Sequence, residues 1–265
     1  MDLVGNSGFQ PIYAISGLLV GLLIGLTGVG GGSLMTPLLV LFFGFHPTTA
    51  VGTDLLFAAT TKSVGTTIHS AGKTVDWTVV RWLAAGSVPA TIICLIAMGY
   101  AGANSSGVTN LIFIVLGVSL LLSAISLLFK KQILHCITRR YPEFGTASSR
   151  RLTVLTGVVL GVLVCLSSVG AGALGTIALI ILYPRLPMVR IVGSDIAHAV
   201  PLTLLAGAGH WFLGTIDFRL LGMLLVGSVP GIVVGSLTAR YAPDKLLKAF
   251  LGVILAIAGF RMLVK

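Results

Sequence analysis

Apolar positions run through this chain in ten stretches, at about 17–24, 34–45, 50–68, 79–99, 108–129, 152–166, 174–183, 196–213, 218–239 and 246–264, with short polar turns between them. The stretches are rich in Leu, Val, Ile and Gly and lack the strict alternation of a membrane β-strand, so they predict helices. A helix that crosses a bilayer needs roughly 20 apolar residues. Several stretches meet that length alone and others do not. Apolar residues make up 56% of the 265 positions and charged residues only 9%, too little polar surface to cover a water-soluble core. The expected class is all-α, a polytopic helical membrane protein.

The pattern is also written twice. Gly52 to Pro89 reappears 141 positions later as Gly193 to Pro230, with the polar positions in register. Gly52-Thr53-Asp54 answers Gly193-Ser194-Asp195, His69 answers His210, Asp76 answers Asp217, and Gly86-Ser87-Val88-Pro89 recurs unchanged as Gly227-Ser228-Val229-Pro230. Upstream the offset shortens by one, pairing Gly21 with Gly161, Val29-Gly30 with Val169-Gly170, Gly32 with Gly172 and Thr36 with Thr176. Two homologous membrane halves follow, residues 1–130 and 151–265, joined by a linker at 131–150.

Each half opens on an apolar stretch interrupted by small residues, Thr27-Gly28-Val29-Gly30-Gly31-Gly32-Ser33 in the first and Ser167-Ser168-Val169-Gly170-Ala171-Gly172-Ala173 in the second. The flanking arms read as about 12 to 16 residues, too short to span upright. Two readings fit. Either the stretch is one tilted helix kinked at glycine, or it is a re-entrant pair of half-helices whose open backbone is buried in protein or lines a cavity. The first gives eight spans and parallel halves, the second six spanning helices plus two broken hairpins and inverted halves. With the linker inside, hairpins place seven loop Lys and Arg inside and three (Arg219, Arg261, Lys265) outside, whereas eight spans divide them five against five. The positive-inside rule favours the inverted repeat.

The net charge of +10 does not point to nucleic acid, because Lys130, Lys131, Arg139, Arg140, Arg150 and Arg151 gather in or beside the linker. A positive loop that short is expected on the cytoplasmic side of the cell inner membrane, near anionic headgroups. The first 11 residues carry no Lys or Arg, so the first apolar stretch reads as part of the fold and not as a signal peptide. Cys94, Cys136 and Cys165 are odd in number and lack metal-ligand spacing, which points to apolar packing, with no disulfide framework, metal or cofactor expected.

The two small-residue breaks are the first candidates for a site. A discontinuous helix exposes backbone N–H groups at a positive half-helix end, where an anion can be held. Thr27, Gly28, Gly30, Gly31, Gly32 and Ser33 in one half, and Ser167, Ser168, Gly170 and Gly172 in the other, are the expected binding residues. The competing reading is that such glycines only let helices approach closely. Lys62 sits mid-stretch, too far from either end to reach the interface, and is expected to meet an anion or an aspartate inside the bundle. Asp54, Asp195, His198, His69 and His210 are candidates for coupling protons or ions. Helix capping is the alternative for both aspartates and for His69 and His210. Asp76 and Asp217 read as helix caps, Pro89 and Pro230 as kinks that shape a cavity or hinge, and Trp77, Trp82 and Trp211 as interface anchors.

Gly28-Val-Gly-Gly-Gly-Ser33, Pro37, His46-Pro47, Ala50-Val-Gly-Thr-Asp54, His69 and Gly72-Lys-Thr-Val-Asp-Trp77 resemble the TauE/SafE family of membrane anion exporters, and the second half follows the same plan. The resemblance covers nearly the whole chain. It implies a transporter of sulfite, sulfoacetate, thiosulfate or related anions, with a small anionic substrate and the lipid bilayer as partners. Protons enter as a candidate partner through the acidic and histidine residues alone, and neither they nor the resemblance fixes the driving force: proton antiport, uniport and import all stay open, as does a homo-oligomer. The rivals are transport of another small carboxylate or ion, an intramembrane enzyme and an assembly scaffold. An enzyme would need a positioned nucleophile or metal cluster, and no Cys/His, Ser/Lys or His-Glu spacing supplies one. A scaffold would not need Lys62 or His198 inside the membrane.

Overall fold

The computed structural model describes residues 10–27, 32–69, 75–129, 132, 146–239 and 244–264. The described helices are α1 (Pro11–Thr27), α2 (Gly32–Leu41), α3 (Pro47–His69), α4 (Trp77–Ala101), α5 (Ser106–Leu128), α6 (Thr146–Ser167), α7 (Ala173–Leu182), α8 (Met188–Phe212), α9 (Phe218–Thr238) and α10 (Asp244–Val264). α1–α5 and α6–α10 are the two copies. No strand interrupts them among the described residues.

Among the described residues, six helices are long and apolar enough to cross a membrane: α4, α5, α6, α8, α9 and α10. The number matches the expectation, but the membership differs. α3 drops out because threonines, Asp54 and Lys62 dilute its apolar character, although its 23 residues are enough in length. α6 enters because the arm before the second break is 22 residues long, not 12 to 16. Its partner α1 has 17 residues, and the second arms α2 and α7 have 10 each.

The break in the second copy is sharp. Ser168 (φ 57°), Gly170 (φ 130°) and Gly172 (φ 124°) take left-handed backbone, which ends α6 and restarts the chain as α7. Glycine adopts such angles without a Cβ clash. The residues from Ser167 to Ala171 are buried, as open backbone within a membrane protein must be.

The copies exchange partners. α1 packs along α9 of the other copy, and α6 along α4. Gly17, Gly21 and Gly25, one turn apart, lie against the backbone of Leu224, Ser228 and Ile232. On the facing helix, Gly227, Gly231 and Gly235 lie against Ala14, Leu18 and Leu22. Gly86, Gly157 and Gly161 serve the α4–α6 pair in the same way. Close packing through small residues is therefore the role of these glycines. Both pairs run parallel, since contacts advance together along the two chains. Two further pairs run antiparallel: in α3 and α8, Gly52 meets His210 while Gly207 meets Leu56, and in α5 and α10, Gly117 meets Leu263 while Gly252 meets Leu128.

The helix caps explain one repeated motif. Asp76 Oδ1 accepts hydrogen bonds from the Thr78 and Val79 amides (3.0 and 3.4 Å), and Asp217 Oδ1 from the Leu220 amide (2.9 Å), as expected of N-caps. The cap residues' own amides are held across the copies. Asp217 N donates to Thr53 Oγ1 (3.1 Å) and Asp76 N to Ser194 Oγ (2.8 Å). In Gly-Thr/Ser-Asp, the hydroxyl residue thus ties each copy to the other's third long helix. Arg190 Nη2 adds an ion pair to Asp76 Oδ2 at 3.2 Å, placing the starts of α4 and α8 at one end of the bundle.

Outside the core, Ile92, Ile93, Ile96, Ile114, Ile125 and Val234 are exposed and form the lipid-facing surface. Trp77 and Trp211 are exposed at helix ends, as interface anchors are. Trp82 differs: the Arg150 guanidinium sits 3.6 Å over its ring, a cation–π contact between α4 and α6. Pro89 and Pro230 point outward, so neither lines an internal cavity.

Candidate functional site

α3 and α8 carry the polar centre, because each crosses the bundle behind the break of a different copy. Asp54 and Asp195 lie seven residues past the first residues of these helices, Pro47 and Met188, so neither caps its helix. Both side chains are buried, at 0% and 1% exposure. Asp54 Oδ2 accepts from the Thr36 amide at 3.2 Å and from its hydroxyl. Thr176 Oγ1 donates to Asp195 Oδ2 at 2.8 Å. Thr36 and Thr176 are the fifth and fourth residues of α2 and α7, near the N-terminal ends of the half-helices that follow the breaks. A Cβ built on Gly175 would fall 2.2 Å from Asp195 Oδ1, so this carboxylate rests directly on the first turn of α7.

The anion-binding ends foreseen at the breaks are thus occupied by the protein's own carboxylates. Gly172, the N-cap of α7, provides no side-chain cap, and the positive end of that half-helix is met by Asp195 instead. Asp54 does the same for α2. Each aspartate keeps one oxygen, Oδ1, buried and without a hydrogen-bond partner among the described residues.

Lys62 joins these groups. Its Nζ donates to the Ala171 carbonyl at 3.1 Å, linking α3 of the first copy to the break of the second. It lies within electrostatic reach of Asp54, Asp195 and His198. Ser168 lies beside Asp54. The break of the second copy and the middle of α3 therefore form one cluster.

His198, three residues after Asp195, is 2% exposed. Its Nε2 is 2.8 Å from Ser87 Oγ on α4, and its Nδ1 is buried with no partner among the described residues. The repeat breaks here. The counterpart of His198 is Phe57, which offers no hydrogen-bonding atom, and the counterpart of Ser87 is Ser228, whose Oγ is buried without a partner among the described residues. Ser87→Ala is accordingly expected to lower thermal stability by about 1 kcal/mol, and Ser228→Ala to leave it unchanged or raise it. Melting curves in detergent measure both; equal losses would contradict the asymmetry.

The remaining candidates fall elsewhere. His210 is bonded at both nitrogens: Nδ1 lies 2.9 Å from Thr215 Oγ1, and Nε2 3.0 Å from the Cys165 carbonyl, so Nε2 carries the proton and donates. It ties the end of α8 to α6, away from Lys62. Thr27 Oγ1 donates to Leu23 O and Ser167 Oγ to Leu163 O, both at 2.6 Å and both in their own helices. Gly170 and Gly172 shape the break through their φ angles. Gly28, Gly30 and Gly31 lie outside the described residues, as do the surroundings of Gly32 and the side chains of Ser33 and His69. No group of His, Cys, Asp or Glu suited to a metal occurs among the described residues. Cys94 and Cys165 pack in an apolar cluster. Thr36, Thr176 and Ser87 were not singled out as site residues, although their repetition in both copies was the available signal.

A bundle of apolar helices around a buried cluster of ionisable groups defines a polytopic helical membrane protein. The family model described as "Sulfite exporter TauE/SafE" matches residues 13–262. The chain belongs to the TauE/SafE family of membrane transporters. It is 37% identical over 251 residues to the "Probable membrane transporter protein YjnA" of Bacillus subtilis (strain 168), covering 94% of this chain and 98% of the relative. It is 28% identical over 254 residues to the "Probable membrane transporter protein YdhB" of the same organism, covering 92% and 96%. No solved structure matches the chain.

Proposed function

We propose that this protein is a secondary transporter of small anions, with sulfur oxyanions or organosulfonates as the substrate class, working by alternating access around the Lys62 cluster. The observation that carries this reading is Lys62 itself: an ammonium inside the bundle, bonded to the broken backbone of the opposite copy and set between two half-helix N-termini. The family and the names of the relatives support transport, and the family's description as sulfite exporters supports the sulfur anions.

In this reading the two copies are inverted and the central linker is cytoplasmic, in the inner membrane. Antiparallel packing of α3 on α8 and of α5 on α10 supports inversion, because corresponding helices of parallel copies would run the same way. The Asp76–Arg190 pair agrees, since eight spans would put these residues on opposite faces. Rocking of one half on the other would expose the cluster to each side in turn.

The test is uptake of radiolabelled sulfite, thiosulfate, sulfoacetate and isethionate, alongside acetate, by proteoliposomes holding the purified protein. Saturable flux of a sulfur anion, competed by others of the class, is expected. A preference for acetate would move the substrate class to carboxylates. A preparation that moves no anion but keeps a fixed protein partner would favour a scaffold.

A further inference from the structure

Once Lys62 is taken as the anion's counter-ion, the charges around it do not balance for a simple anion carrier. Ionised, the cluster holds one ammonium, from Lys62, and two carboxylates, from Asp54 and Asp195, a net charge of −1 before any substrate arrives. Among the described residues, the other groups facing it are Thr36 from α2, Ser168 from the break, Thr176 from α7, the His198 ring from α8 and Ser87 from α4, none of them a carboxylate, lysine or arginine. Adding a monoanion to a buried cluster already at −1 leaves two uncompensated charges, each costing several kcal/mol in a water-poor interior.

The geometry offers a way out. The carboxylates occupy the places an incoming anion would take, near the N-terminal ends of α2 and α7, where Thr36 and Thr176 hold them by one oxygen while the other oxygen has no partner among the described residues. A proton on such an oxygen neutralises the carboxylate, weakens its hold on the positive helix end and frees that end and Lys62 for a ligand.

We infer that Asp54 and Asp195 are resident anions that the substrate replaces, so that each transported monoanion moves together with a proton carried on the displaced carboxylate. The inference rests on the anion-transport reading above and adds its coupling. The balance is closed: one proton adds to a carboxylate oxygen as one anion binds at Lys62 and a half-helix end. Both leave on the other side, and the carboxylate returns to its threonine. No net charge crosses. The direction of flux follows the combined proton and anion gradients.

Isethionate is the suitable probe, because a sulfonate stays ionised through the working pH range and cannot carry the proton itself. Wild-type proteoliposomes enclosing a pH-sensitive dye are given an inward isethionate gradient. The lumen is expected to acidify with on the order of one proton per anion, and a potassium–valinomycin clamp at either polarity is expected to leave the rate unchanged. Isethionate entry without proton entry, or with alkalinisation, overturns the coupling while leaving anion transport intact. Absence of flux for isethionate and every other sulfur anion overturns both. Asp54→Asn and Asp195→Asn keep the shape but cannot cycle a proton on a carboxylate, so at least one should lower the proton-to-anion ratio, a readout that a merely structural role would not move. If neither variant changes the ratio, these residues are not the carriers; if the variants do not fold, the wild-type ratio decides.

Discussion

Lys62→Ala is expected to lower anion flux in proteoliposomes by about 100-fold or more while the protein still elutes as a folded species. Removing one partner of a buried charge interaction costs about 2–5 kcal/mol of binding, and about 3 kcal/mol corresponds to roughly a hundredfold. Lys62 is the only Lys or Arg in α3, and its Nζ reaches across to Ala171 O at 3.1 Å. Without it, a ligand would meet Asp54 and Asp195 with no ammonium between them. Folding is expected to survive because Asp54 and Asp195 remain held by Thr36 and Thr176. Lys62→Met separates charge from bulk, since it keeps most of the length, and is expected to fail like alanine. Initial rates of labelled anion uptake, normalised to reconstituted protein, provide the measurement. Unchanged flux in both variants would remove Lys62 from the site.

Gly86→Leu and Gly227→Leu are expected to act differently, by preventing accumulation of folded protein. A Cβ at Gly86 would lie 2.0 Å from Val154 O, and one at Gly227 would lie 1.8 Å from Ala14 O. The obstacle in both cases is backbone, which cannot rotate away as a side chain tip can. The helices must separate, at a cost of more than about 3 kcal/mol when close packing is lost along a whole face. Gly107→Ala and Gly222→Ala are the controls, because a Cβ there meets nothing within 4 Å. Detergent extraction followed by size-exclusion chromatography should show the controls as a single folded peak and the leucine variants as aggregate or no peak. Folded Gly227→Leu at normal yield would contradict the α1–α9 contact.

How much of this could be read from the chain depended on whether a feature is local. The breaks were legible because glycine, serine and alanine cannot sustain a helix and are followed by a new apolar run. Asp76 and Asp217 were legible as caps because the acceptor and its amides are two or three residues apart. The length of α6 was not, since its polar first turns, from Thr146 through Arg151, conceal a helix that begins before the apolar run. His198 was visible as an oddity against Phe57, but its partner Ser87 lies 111 positions away and no periodicity links them. The breaks were expected to present open N–H groups, yet the aspartates that occupy those ends come from different helices, α3 and α8, which only packing brings there.

The sequence alone determined that this is an all-helical membrane protein made of two copies, each with a broken first element and ionisable groups on its second long helix. Those properties follow from transfer free energies and from hydrogen bonds closed within a few residues, and both are written in composition and spacing. Tertiary structure decided that each copy's first helix packs on the other copy's third long helix, that Lys62 reaches the opposite break, and that Asp54 and Asp195 sit on the half-helix ends. These depend on which small-residue faces meet and in what register. Lys62 and Ala171 stand 109 positions apart and each aspartate 18 or 19 positions from its threonine, beyond the reach of any helical period, so no local pattern in the chain encodes these contacts.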